Sequence, residues 1–393
     1  MGNRYFWAYG FWHAGEGFQT ILMMWYMAFH TRLSAAEIGF YQALQLSPFL
    51  AFTLFGGSLT DRIGARASYA SSTGLFALTL AFYGLAEPAF GFHPWLFAAY
   101  CLLSGLFSAI SNPAIDTFIP EATPRPASDN ALIAATVHNM AKLSGNAATF
   151  LLPLLSAVGG FLANGFLMGM SVLLLRSHTP REATPDPVPA AAWPSPRRMA
   201  RHFRAYPESL DIFLGSIMLG LFVVPSGYIF QPLIMRQHFP DQSSLFGLTG
   251  IVSWCGAILA SSLAVRFAAR TRHPGRWAML VWAIAALVLV GSVLVPDFWL
   301  YLVILFLLGG NSVGKALIYG RYLGDAPRGE RGVLIALDQT AFWGLATLGT
   351  AILGWFAGRV GLLPAVLTLA GAILLSVLVL LLRGRLWRLA RVG

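Results

Sequence analysis

The sequence predicts an all-α membrane protein, with twelve transmembrane helices in two pseudo-symmetric six-helix bundles. Three observations carry this: an apolar composition, twelve runs of spanning length, and a second half that repeats the first. Of 393 residues, 57% are hydrophobic and 11% charged, and mean hydropathy is +0.66. Soluble domains carry roughly 25% charged residues, so water is not the main solvent of this chain. A span needs about 20 mostly apolar residues.

Such runs lie at about 5–29, 38–60, 68–87, 94–118, 129–151 and 154–175, then 209–236, 243–267, 276–295, 298–321, 332–357 and 361–383. The first is longer than a signal-peptide core and carries no small-residue cleavage site, so it is expected to stay in the mature protein. Its aromatic residues Phe6, Trp7, Tyr9, Phe11 and Trp12 suit an interfacial belt and helix packing. The longest polar stretch, 176–208, divides the chain into bundles 1–175 and 209–393. It opens with six prolines from Pro180 to Pro196, which favour an extended linker. Arg197–Arg204 then alternates charge with Met199 and Phe203, as in a short basic helix lying on the inner leaflet.

Charge position sets the orientation. With twelve spans and an inner N-terminus, 21 of the 26 Lys/Arg fall on the inner side; only Arg32, Arg236 and Arg359 fall outside, and Lys142 and Lys315 lie within spans. That asymmetry is the positive-inside pattern. It predicts cytoplasmic termini, explains the net charge of +10 without nucleic acid, and fits the inner membrane of a bacterium. Cys101 and Cys255 sit in spans and read as packing residues, not as a disulfide framework. No Cys/His cluster has metal-ligand spacing, no Walker-type phosphate loop occurs, and no soluble catalytic constellation appears, so neither an enzyme nor a metal site is expected.

The halves echo each other. Trp95-Leu96-Phe97 matches Trp299-Leu300-Tyr301, Glu121–Arg125 matches Asp325–Arg328, and Leu132-Ile133-Ala134 matches Leu334-Ile335-Ala336, at offsets of 202 to 204 residues. Parallel six-span repeats place a substrate site near the midplane between repeats.

Between the second and third runs stands Gly57-Ser58-Leu59-Thr60-Asp61-Arg62-Ile63-Gly64-Ala65-Arg66. Gly57 permits close helix approach, Asp61 can accept from free amides at a helix N-terminus, Gly64 allows a tight turn, and Arg62 and Arg66 hold the loop inside. This stretch resembles the loop between helices two and three of major facilitator superfamily transporters, although the family usually has a basic residue in place of Ala65. The second-half counterpart, Ser262–Arg266, lacks the Gly and the Asp. Asn112-Pro113-Ala114, Ile119-Pro120-Glu121 and Asn130-Ala131-Leu132 look like the branch of the enterobactin exporter and related drug exporters. The fifth span departs from it: Gly145–Phe150 replaces the antiporters' Gly-Pro-x-x-Gly-Gly. The resemblance implies secondary transport by alternating access, coupled to an ion gradient without other cofactors.

Ionisable groups at membrane depth cost roughly 2.5–3.5 kcal/mol on insertion scales, so each asks for a partner or a function. At ~1.5 Å per residue, Glu16 lies ~16 Å along the first span and Lys142 ~20 Å up the fifth, both near the midplane. Lys315 and Asp338 lie in the inner third of the tenth and eleventh spans, joined by a short connection. These are the chain's two lysines, and lysine can change protonation where arginine cannot. Each pair is either a static tie between helices or part of a substrate and proton site; the midplane favours the second reading for Glu16–Lys142, and the first is preferred for Lys315–Asp338. His13 and His138 each stand one turn from a buried charge, which allows a proton relay. Asn139, Asn146, Asn311 and Gln339 can bind a ligand or lock helices together. Asp116 is expected to pair with a loop arginine, and Tyr26, Trp254 and Trp343 are possible cavity liners.

The expected function is proton-coupled export of an amphiphilic small molecule, drug-like or siderophore-like, by a monomer in contact with membrane lipids. The alternatives are a lysophospholipid or lipid flippase, an uptake permease of the same fold, and, in another class, a non-transporting membrane enzyme or assembly factor.

Overall fold

The structure, a computed structural model, describes residues 3–176, 196–268, 271–324 and 331–389, with 51–63 and a few others by backbone alone. A backbone in lipid must satisfy its own N–H and C=O groups, so apolar runs become helices. Twelve helical spans result among the described residues. The first half holds α1 (Asn3–Trp25), α2 (Ala35–Ile63), α3 (Ala65–Phe90), α4 (Pro94–Asp116), α5 (Ala127–Ala148) and α6 (Leu152–Arg176). A short basic helix follows, α7 (Pro196–Ala205). Nine stretches are long and apolar enough to cross a membrane by length and composition; one, Asp129–Leu175, runs through two successive helices.

Three later spans are broken, which a continuous apolar run does not reveal. The seventh is α8 (Pro207–Met218), a π turn at Leu219–Val223 and α9 (Val224–His238). The eighth and ninth are α10 (Phe246–Ala268) and α11 (Pro274–Leu294). The tenth breaks at Gly310 into α12 (Phe298–Gly309) and α13 (Ser312–Gly324). The eleventh is α14 (Arg331–Gln339), a π turn at Thr340–Gly344 and α15 (Leu345–Val360). α16 (Leu362–Arg383) is the last span, and the single turn α17 (Arg385–Arg388) follows it. A third π turn, Tyr26–His30, ends α1.

The loop expected at Gly57–Arg66 is shorter than its residues suggest. Helical bonding persists through Ile63, and only Gly64 lies outside a helix, at φ +83°. That backbone conformation is open to glycine because it has no Cβ. Arg66 is half-buried in the first turn of α3, whereas the side chains of Gly57, Asp61 and Arg62 lie outside the described residues. Of the repeated segments, both Trp-Leu-aromatic triplets sit in the first turn of a helix, α4 and α12. The Asp325–Arg328 partner of Glu121–Arg125 lies outside the described residues.

The chain divides into two compact units. The first comprises Met1–Ser34, Phe40–Val188 and Asp241–Ile251. Its core holds Tyr26, Tyr83, Phe97, Tyr100 and Phe161, with Tyr83 4.7 Å from Tyr100 and 4.9 Å from Phe161 between ring centres. Tyr26, a possible cavity liner by sequence, is buried in this cluster and bonded to the Tyr83 hydroxyl at 2.7 Å. Helix association in lipid rests on such packing and on small polar residues; Ser72 and Thr73 of α3 reach Ser111 of α4 at 2.7 and 2.9 Å.

The second unit comprises Ala35–Gly39, Pro189–Pro240 and Val252–Gly393. The start of α8 is tied to the end of α16 by Arg383, which donates to Asp211 at 2.7 Å; the Asp211 side chain is fully buried. α7 docks on α8 by stacking Phe203 on Phe213, 5.4 Å between ring centres.

Candidate functional site: a carboxylate held by three helices

α1 and α5 cross closely, and two glycines make this possible. A Cβ on Gly17 would stand 2.6 Å from the Lys142 carbonyl oxygen, and one on Gly145 would run into the Ala14 carbonyl. The crossing brings one turn of each helix face to face. His13 and Glu16, three apart, share a face of α1; His138 and Lys142, four apart, share a face of α5.

Glu16 is the centre of the cluster. Its Oε2 is 3.1 Å from Lys142 Nζ and 2.8 Å from His13 Nδ1. Its Oε1 accepts from Asn112 Nδ2 of α4 at 3.0 Å. The amide orientation of Asn112 follows from its other neighbour: the Trp12 indole can only donate, and its Nε1 reaches Asn112 Oδ1 at 3.2 Å. The remaining Asn112 nitrogen therefore faces the carboxylate. His13 also meets the His138 ring edge-to-face at 4.2 Å and Tyr9 at 4.3 Å, and its Nε2 is buried with no hydrogen-bond partner among the described residues. The Glu16 and Lys142 side chains keep 13% and 18% of their exposure, so the pair is enclosed but reachable.

Three donors on one carboxylate do two chemical things. They compensate a charge that lipid would penalise, and they tie the Lys142 ammonium to a carboxylate whose protonation would release it. A deprotonated carboxylate accepts only, so His13 carries its proton on Nδ1 whenever Glu16 is ionised.

The other residues singled out by sequence fall elsewhere. Asn139 is half-buried and makes no hydrogen bond to this cluster among the described residues. Asn146 is buried one turn beyond Lys142, where Gly250 approaches its amide. Asp116 has no arginine partner among the described residues; Tyr9 of α1 lies near it. Asn311 donates to the Leu308 carbonyl at 2.8 Å, capping the break in the tenth span. Trp254, Gln339 and Trp343 are half-buried. Lys315 donates to Asp338 at 2.7 Å in the second unit, with its ammonium 4.6 Å from the Phe342 ring centre and 5.2 Å from that of Tyr319. Cation–π contact on two faces favours a held lysine.

Sequence reasoning missed Asn112 and Trp12 as partners of Glu16. It also missed a chain from Asn164 Nδ2 to Gln19 Oε1 at 2.5 Å and from Gln19 Nε2 to the Tyr100 hydroxyl at 2.6 Å. Polar side chains inside apolar runs were the available signal, but not which helix each would face.

Comparison with known proteins agrees with this architecture. Residues 5–341 match the Major Facilitator Superfamily. Similar solved structures include a mutant of the nucleoside transporter NupG, at 12% identity and TM-score 0.78, covering 97% of this chain and 99% of that one. The xylose transporter XylE from E. coli, inward open, is similar at 14% identity and TM-score 0.67, covering 96% and 94%. A mutant of the peptide transporter POT in complex with sulfate follows at 13% identity and TM-score 0.74, covering 100% and 96%. No curated protein matches the chain in sequence. With a family match over most of its length and a twelve-helix fold shared with transporters, the chain belongs to the Major Facilitator Superfamily and is a multi-pass membrane transporter of small molecules.

Proposed function

We propose that the protein is a proton-coupled exporter of an amphiphilic small molecule, a monomer of the bacterial inner membrane with both termini in the cytoplasm. Glu16 is the proton-exchange group and Lys142 its counter-ion. The observation that carries this reading is the convergence of His13, Lys142 and Asn112 on one partly accessible carboxylate at membrane depth. A proton and a cationic or hydrogen-bonding group of the substrate compete for Glu16, which is the requirement for antiport. His13 and His138 stand beside Glu16 as the groups through which a proton passes. Export, not uptake, follows the exporter-like motifs around Asn112 and Asn130.

Proteoliposomes carrying an imposed ΔpH test it, with ethidium, a Hoechst dye and a catecholate as transport probes. The wild type should move at least one probe uphill with counter-movement of protons. Glu16→Gln should abolish uphill movement while retaining exchange of that probe between the two sides. The double variant Glu16→Gln/Lys142→Met should fold and still fail to couple. Uphill transport at the wild-type rate by either well-folded variant would overturn the role of Glu16.

A further inference from the structure

Outside the transport site, the second unit carries a groove of about 1070 Å³ among α10, α11, α13 and α16. This is large beside the roughly 300–1,000 Å³ of typical small-molecule sites. Its walls are aliphatic, with Leu263, Leu280, Leu317 and Leu381 among them. Its rim is basic: Arg272 and Arg276, with His273 between them, line one end, and no acidic residue lines the groove among the described residues.

The rim is built by the end of the chain. Gly384, at φ +69°, reverses the backbone after α16 so that α17 folds back. Leu386 is buried against Gly275, where any Cβ would strike the Leu386 carbonyl. Arg276 donates from Nε to the Trp387 carbonyl at 3.1 Å and lies over its ring at 4.9 Å. Trp277 and Trp387 are 53% and 42% exposed, as amphipathic rings are at a headgroup boundary. The buried His273 Nδ1 has no hydrogen-bond partner among the described residues, and His273 caps α11, whose positive dipole end opens on the same rim.

An aliphatic trough ending in two arginines, two tryptophans and a helix N-terminus matches a molecule with an acyl chain and an anionic head. We infer that this groove is a binding site for an anionic phospholipid of the inner leaflet, its phosphate on Arg272 and Arg276 and an acyl chain along Leu280 and Leu317. Basic pockets between helices at the cytoplasmic face bind acidic headgroups by this combination of charge and apolar depth. The α17 turn makes the rim, so the lipid and the chain terminus stabilise one another.

Native mass spectrometry of the full-length protein, titrated with phosphatidylglycerol or phosphatidylcholine of matched chains, tests it. The wild type should prefer phosphatidylglycerol by about fivefold or more, the scale of one cation at an anionic surface, and inorganic phosphate should not compete. Arg272→Gln, which leaves the contacts of α17 intact, should weaken that preference, and Arg272→Gln/Arg276→Gln should erase it. Leu280→Trp, which fills the trough, should lower occupancy by both lipids. Arg197→Gln/Arg201→Gln on α7 should change nothing. Equal binding of the two lipids by the wild type, a preference that survives the double variant, or an equal loss in the α7 control would each overturn the assignment. Competition by inorganic phosphate would reduce the site to a phosphate-binding rim.

Discussion

Gly17 offers a direct test of how the fold positions its central carboxylate. A Cβ there would stand 2.6 Å from the Lys142 carbonyl oxygen and 3.1 Å from its Cα, where ordinary contact begins near 3.4 Å. Gly17→Ala therefore requires α1 and α5 to part by about 0.8 Å at the level of the Glu16–Lys142 pair. Both obstructing atoms are backbone, so no side-chain rotation relieves them. Overpacking of this kind costs about 1–3 kcal/mol, against which alanine regains ~0.5–1 kcal/mol from its better helix propensity. The net expectation is destabilisation of up to about 2.5 kcal/mol, with a larger loss for Gly17→Val. Gly169→Ala in α6 is the matched control, since an added Cβ there meets nothing within 4 Å. Thermal unfolding in detergent should give a lower midpoint for Gly17→Ala and an equal or higher one for Gly169→Ala. ΔpH-driven transport should fall in the first and persist in the second. Equal midpoints and equal transport in the two variants would refute the argument that this crossing holds Lys142 against Glu16.

Three other outcomes are expected. Arg383→Gln strands the buried Asp211 carboxylate and should destabilise by about 3–5 kcal/mol, while Asp211→Asn/Arg383→Gln should recover most of the loss; equal thermal midpoints for the single and double variants would show that no coupling exists. Gly64→Ala forces a side chain into φ +83° and should cost about 1–3 kcal/mol, read as a lowered unfolding midpoint; a neutral result would mean that the link between α2 and α3 relaxes freely. Single cysteines at Arg197 and Asp297, in a background without Cys101 and Cys255, should react with an impermeant thiol reagent from opposite sides of the membrane. Labelling of both from one side would overturn the topology drawn from the Lys/Arg distribution.

Much of this arrangement could be read from residue order because lipid leaves the backbone few options. Apolar runs had to be helices, and with a fixed rise per residue the depth of Glu16 and Lys142 followed from their places in the first and fifth runs. The same arithmetic put Lys315 opposite Asp338. What depth cannot supply is rotation about the helix axis. Asn112 sits on a helix with several plausible faces, and only the packing of α4 on its neighbours turns it toward Glu16. Trp12 belongs to an aromatic run that reads as an interfacial belt, yet it is wholly buried and its indole sets the Asn112 amide. Asp211 and Arg383 stand near span ends, where single charges are ordinary, so nothing marked them as partners. The Gly57–Arg66 segment is rich in turn-forming residues, and the helix still runs to Ile63 because one glycine suffices for the turn.

The π turns of the seventh and eleventh spans bear on how these helices can move. Gly220, in the first of them, packs directly on the Ala341 and Phe342 carbonyls of the second. A π turn amounts to one residue inserted into an α-helical ladder. Its removal would advance the rest of the helix by about 1.5 Å and swing it by about 100°. The turn at Thr340–Gly344 begins two residues after Asp338, and Phe342 within it lies over the Lys315 ammonium. Rewinding there would turn Phe342 off the lysine while leaving Asp338, on the other side of the insertion, in register. Because the facing turn rests on the same two carbonyls, neither span can change register without disturbing the seat of the other. The two irregularities therefore share one seat, and a shift of a single residue in either would have to be accommodated by the other.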